Sequence, residues 1–191
     1  MLDRYQHRRF GARKAALFAD LPPTVVELGS GTGASLRYLD RGTRLVAIEP
    51  NVHMHRALRR QAHRRGIDLE IRPESAEAIG LPDNSVDAVI CTLVLCTVAD
   101  PAAAVAEVHR ILRPGGRFHF IEHVHANTTG LRRLQKVVHR PWRYVFEGCE
   151  LDRNTAATMA AAPFAELQVD QFRLGGLFVP IWPQISGTAT A

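Results

Sequence analysis

Apolar residues in this chain gather in short runs separated by polar segments with helical spacing. Val25-Val26-Glu27-Leu28, Leu45-Val46-Ala47-Ile48 and Val86-Asp87-Ala88-Val89-Ile90-Cys91 are too short for buried helices and predict strands. The last of these is almost continuous, as in a strand covered on both faces. The full set of predicted strands is Thr24–Leu28, Arg44–Glu49, Asp68–Arg72, Val86–Thr92 and Arg117–His123, then Glu166–Arg173 and Leu177–Ile181 around the hairpin signal Gly175-Gly176. Between them, Asn51 caps a helix that Gly66 stops, and Asp100-Pro101 opens one that ends at Arg113-Pro114-Gly115-Gly116. Shorter helices are expected over Gly33–Asp40, from Gly130 to a break at Pro141, and from Asn154 to Ala162, with a loop over Pro73–Asp83. Strand alternating with helix predicts a parallel sheet with right-handed crossovers, closed here by an antiparallel pair. Residues 1–191 are expected to form one domain.

The first strand runs into Gly29-Ser30-Gly31-Thr32-Gly33, and the second ends on Glu49-Pro50-Asn51. Glycines there let the chain turn sharply and approach a ligand closely. Gly29, Gly31 and Ala34 also fit the dinucleotide fingerprint, with Glu49 at the ribose-binding distance. Glu27 separates the two cofactors that such a turn can hold. A carboxylate beside the turn repels a pyrophosphate, which the turn would otherwise hold through its N–H groups. It attracts S-adenosylmethionine, which has no phosphate and carries an ammonium and a sulfonium.

Composition narrows the class further. With 46% hydrophobic and 23% charged residues the chain is an ordinary globular one. No stretch approaches the roughly 18 apolar residues needed to cross a bilayer. Cys91, Cys96 and Cys149 have spacings that fit neither a disulfide framework nor a zinc site, so a reducing cytoplasm is expected and no metal. Net charge is +5. Much of it lies in Asn51–Gly66, which holds five arginines and three histidines and no acid. Without interleaved aromatic residues this run reads as a solvated helix face, and no nucleic-acid partner is expected.

Several segments together resemble class I S-adenosylmethionine-dependent methyltransferases. Glu27–Gly33 is similar to their first motif, Glu49-Pro50-Asn51 to the acidic position after it, Pro82–Val89 to the approach to the fourth strand, and Leu112–Phe118 to the loop before the fifth. Cys91–Val98, Glu122-His123-Val124, Pro141-Trp142 and Phe146–Arg153 resemble more narrowly the methyltransferase-like thiol S-methyltransferases. The resemblance implies a Rossmann-like fold, α/β, with a mostly parallel seven-stranded sheet, helices on both faces and an antiparallel C-terminal strand pair. The apolar anchor of the animal members has no counterpart, Asp152 replaces their usual threonine, and the 23 residues before the first strand are short for a helical lid. No membrane attachment is expected.

By this resemblance, Glu27, Gly29, Ser30, Gly31, Gly33, Glu49, Pro50 and Asn51 bind the cofactor, with Ser75 and Ala76 at the adenine edge and Met54 over its face. Thr92 and Leu93 would lie beside the methionine moiety. Ligands of open α/β sheets sit beyond the carboxyl ends of the strands, which places His123, Cys96 and Cys149 at the same crevice. His123 is the candidate catalytic group, since imidazole titrates near neutral pH. His119 and His123 lie about 13 Å apart on an extended strand and share no ion. Cys96 and Cys149 are two thiols, not the three that an arsenite methyltransferase uses. Tyr5, Trp142, Tyr144 and Phe146 would wall a pocket for a small apolar or aromatic acceptor. The expected reaction is methyl transfer to such a molecule at sulfur, with O- or C-methylation as the alternative.

Overall fold

The computed structural model describes residues 2–145, 148–175 and 179–191, with side chains given from residue 7 onward. Seven strands form one sheet in the order β3-β2-β1-β4-β5-β7-β6. They are β1 (Thr24–Leu28), β2 (Arg44–Ile48), β3 (Asp68–Arg72), β4 (Val86–Thr92), β5 (Leu112–His123), β6 (Glu166–Arg173) and β7 (Pro183–Thr190). β1 to β5 run parallel to one another, and β7 runs antiparallel between β5 and β6. The helices are α1 (Leu2–Leu17), α2 (Val52–Arg65), α3 (Pro101–Ile111), α4 (Thr129–Val145) and α5 (Thr155–Ala161).

Alternation along the strands sorts the core into two layers. Val26, Leu28, Val89, Cys91, Phe118 and Phe120 face one side, where α3 contributes Val105, Val108 and Ile111 and α5 contributes Met159. Val25, Leu45, Ala47 and Ile90 face the other, against Leu58 and Ala62 of α2. Asn51 caps α2 by accepting from the His53 N–H, and Gly66 ends it in the left-handed conformation. Asp100 caps α3 by accepting from Ala102 and Ala103. The basic residues Arg56, Arg59, Arg60 and Arg64 of α2 lie on its exposed side. Among the described residues no helix is long and apolar enough to cross a membrane.

Four elements differ from the sequence pattern. The helix expected over Gly33–Asp40 is a single 3-10 turn, Leu36–Tyr38, because Gly33 (φ +91°) still belongs to the turn and too few residues remain before Gly42. α4 does not break at Pro141. The proline removes one N–H bond to the Val137 carbonyl, and Val137 is 78% exposed, so water can meet the lost bond. The last strand is Pro183–Thr190, whereas Val179–Ile181 is a 3-10 turn. Leu177 and Phe178 lie outside the described residues. The true strand carries small residues, Ser186, Gly187, Thr188 and Ala189, and is hidden beside a more apolar run. Finally, the leader segment forms a 16-residue helix, α1, whose Phe10 packs with Ile121 and Leu174.

Candidate active site

The loops after β1, β2 and β4 and the end of β5 meet at the carboxyl edge of the sheet. Gly29 donates to the Ile48 carbonyl at 2.8 Å, which ties the first turn to β2. It adopts φ +59°, and a Cβ there would lie 2.4 Å from Val94 Cγ2. A Cβ at Gly31 would meet only the Gly29 carbonyl, at 4.0 Å, so space remains beside this residue. The Glu49 carboxylate closes the turn, accepting from the Gly31 N–H at 2.7 Å and the Asn51 N–H at 2.9 Å. Each of its oxygens keeps a lone pair for a diol.

Glu27 is buried, and its Oε2 has no hydrogen-bond partner. Burial pushes its carboxyl above the usual range, against the pull of Lys14 and of the Ser35 and Ser30 hydroxyls. Lys14, which the sequence pattern did not single out, comes from α1 and donates to Ser35 Oγ at 2.9 Å. It is 1% exposed within a helix whose apolar pattern is weak, so only the fold reveals it. The unpartnered Oε2 of the buried Glu27, the open space at Gly31 and the Glu49 carboxylate fit the ammonium and ribose of S-adenosylmethionine.

The other expected cofactor positions are more varied. Ser30 and Ala76 are buried, Met54 is half-buried, and Pro50 is exposed. Ser75 is exposed, and its hydroxyl donates to Glu77. Glu77 also accepts from the Ala99 and Asp100 N–H groups. Burial raises its carboxyl, but these donors outweigh that and hold it below the usual range. Thr92 has a buried hydroxyl without a partner, and Leu93 adopts φ +59°, an unusual conformation for a branched residue at the mouth of a site.

Glu122 organises the loop after β4. Its Oε1 accepts from the Val94 N–H at 2.8 Å, the Leu95 N–H at 3.1 Å and the Cys91 thiol at 3.2 Å. Burial pushes its carboxyl up to about 7. An acid sharing a strand face with Phe118 and Phe120 is the signal that could have found it.

Cys96, His123 and Cys149 converge beyond this loop. The Cys149 and Cys96 sulfurs are 3.6 Å apart, and both residues are buried. The Cys149 thiol is pulled down, first by its hydrogen bond with the Cys96 thiol, then by His123 and Trp142, while burial opposes. His123 acts there by proximity, since neither ring nitrogen forms a well-shaped hydrogen bond. His119 instead packs edge-on to Phe18, 6.5 Å between ring centres, so the two histidines part. Bonds to main-chain carbonyls fix the loop carrying Cys149: the Glu150 N–H donates to the Cys96 carbonyl at 2.8 Å, and the Arg153 guanidinium donates to the Leu95 carbonyl at 2.8 Å. Of the expected aromatic wall, Trp142 is half-buried, whereas Tyr144 is 92% exposed and takes no part in it. The Tyr5 side chain and Phe146 lie outside the described residues.

This fold and this site define an S-adenosylmethionine-dependent methyltransferase, and the family described as a methyltransferase domain matches residues 26–120. Thiol S-methyltransferase TMT1B of Mus musculus is 34% identical over 99% of this chain and 82% of its own length. Thiol S-methyltransferase TMT1A of Homo sapiens is 31% identical over 96% of this chain and 80% of its own. The chain belongs to this methyltransferase family. The geranyl diphosphate C-methyltransferase of Streptomyces coelicolor, solved with S-adenosyl-L-homocysteine, shares the fold at a TM-score of 0.74 and 16% identity, covering 96% of this chain and 77% of that one.

Proposed function

We propose that this protein methylates the sulfur of a small apolar or aromatic thiol. The observation that carries this reading is the 31% to 34% identity to thiol S-methyltransferases, which spans the acceptor-side segment around Cys149 as well as the cofactor turn. Bound S-adenosylmethionine supplies an electrophilic methyl on a sulfonium. Glu27 would hold its ammonium and Glu49 its ribose, with Ser75, Ala76 and Met54 around the adenine and Thr92 and Leu93 along the methionine chain.

What remains for the protein is alignment. The methyl would pass from the sulfonium to the acceptor sulfur, and these residues would serve to orient the two, which dominates such a barrier. A thiol ionises near pH ~8.5 and reaches the thiolate more readily than a phenol or an amide would. Cys96, Cys149 and Trp142 would border the acceptor, and His123 assists from the end of β5. Three free thiols suit a reducing cytoplasm, where we place the protein.

Incubation with S-adenosylmethionine and a panel of thiols, phenols and amines tests the acceptor atom. Thioether formation from an aryl or alkyl thiol is the expected result. Turnover of phenols or amines with no thiol methylated would overturn the sulfur assignment and leave the cofactor assignment intact.

A further inference from the structure

Cys96 stands after β4, His123 ends β5 and Cys149 follows α4, yet their ligand atoms all lie within 4.8 Å of one another. The sulfur separation of 3.6 Å is close to the ~3.8 Å that two thiolates adopt on one tetrahedral zinc with bonds of about 2.3 Å. His123 is 1% exposed, and both of its ring nitrogens lack a hydrogen-bond partner. A buried imidazole whose nitrogens are idle, with one of them beside two sulfurs, is a polar group waiting for a ligand. Two sulfurs and an imidazole form a soft donor set, which selects a thiophilic ion over magnesium or calcium.

We propose that Cys96, His123 and Cys149 bind a thiophilic divalent ion such as Zn²⁺, and that its fourth position takes the acceptor thiol as a thiolate. Three protein ligands with one open position is the arrangement of a catalytic zinc, whereas a structural zinc has four. The inference rests on the proposed function and specifies how His123 assists: as a ligand, not as a base. β5 lies two strands from β1, so the cluster and the glycine turn open on the same sheet edge within about 10 Å laterally. Cys149 retains 8% exposure, which gives a ligand a side from which to arrive.

The step balances without an oxidant or reductant. The acceptor R–SH binds the ion as R–S⁻ and releases its proton to solvent. A sulfur lone pair forms the new bond to the methyl carbon, and the electrons of the breaking C–S bond return to the cofactor sulfur. The product R–S–CH₃ is neutral and a poorer ligand than the thiolate, so it leaves. A Cys96–Cys149 disulfide is the rival use of this pair. It would need the sulfurs to close to about 2.0 Å, and it would leave both His123 nitrogens idle.

Cobalt titration of the reduced, metal-free full chain tests the site independently of turnover. The expected result is one equivalent of Co²⁺ with a thiolate-to-cobalt charge-transfer band and tetrahedral d–d bands, and thiophenol shifts those d–d bands. Cys96→Ser, His123→Gln and Cys149→Ser should each weaken binding by more than the roughly 10- to 100-fold that loss of an outer-shell partner costs. Cys91→Ala should keep the band, and retained S-adenosylmethionine binding verifies that each variant is folded. Absence of a charge-transfer band, d–d bands that ignore thiophenol, or full thiol methylation by chelator-treated protein would each overturn the inference. The last of these would leave the proposed function standing, while a protein that binds cobalt and thiol but methylates only phenols would fail the reading on its own assay.

Discussion

The two halves of the site are built in different ways. The cofactor half is local and built around main-chain N–H groups: Gly29 donates to the Ile48 carbonyl, and the Glu49 carboxylate stitches Gly31 to Asn51. The proposed acceptor half is side chain and long range: Cys96 and Cys149 stand 53 positions apart and meet where Glu122 fixes one loop and Glu150 pins the other. A main-chain cradle tolerates little backbone change and suits a ligand that never varies. A cluster of side chains from three elements can be altered one residue at a time, as acceptor specificity requires.

Substitutions can break this contrast. Gly29→Ala should have the largest effect, because it strains a positive φ and drives a Cβ to 2.4 Å from Val94. S-adenosylmethionine affinity measured by calorimetry should fall at least ~100-fold, equivalent to about 2.8 kcal/mol. Glu122→Ala comes next. It strands the Val94 and Leu95 N–H groups, costing about 2 to 3 kcal/mol in chemical denaturation, and it should reduce thiol turnover more than cofactor binding.

His119 gives a pH test that spares both halves. Burial, with Arg117 adding to it, depresses its pKa to about 4 from the unfolded 6.5. Between those values the unfolded chain binds the extra proton, so stability is complete above pH 6.5 and falls as pH drops. From pH 8 to pH 5 the His119 contribution should fall by about 2 kcal/mol, read as the difference between wild type and His119→Phe, because the Glu122 carboxyl, raised to about 7, titrates over the same range with the opposite sign. Ser75→Ala should do least, weakening cofactor binding by only about twofold to fivefold, roughly 1 kcal/mol or less. Its hydroxyl is exposed and already given to Glu77. A hundredfold loss there would mean that an exposed hydroxyl matters to the cofactor half as much as the glycine turn does.

Legibility in the sequence followed the same division. The parallel strands, the Asn51 and Asp100 caps and the glycine turn were readable because each is encoded by neighbouring residues. Lys14 was not, since a cation that reaches Ser35 across 21 positions leaves no local pattern. Glu122 carried a signal, an acid in register with Phe118 and Phe120, but its partners on the β4 loop did not show. β7 was misplaced because a strand shielded between β5 and β6 can be built from small residues. Cys96 and Cys149 could each be placed near the crevice, but their distance from each other and from His123 depended on the whole sheet.

A crystal structure with S-adenosylhomocysteine bound tests most directly whether the two halves form one site. The ribose should lie on Glu49, the ammonium toward Glu27 Oε2, and the cofactor sulfur should be directed at the space beside Cys96, His123 and Cys149. A sulfur pointing away from that cluster, or an acceptor space bordered by other residues, would contradict a single shared site.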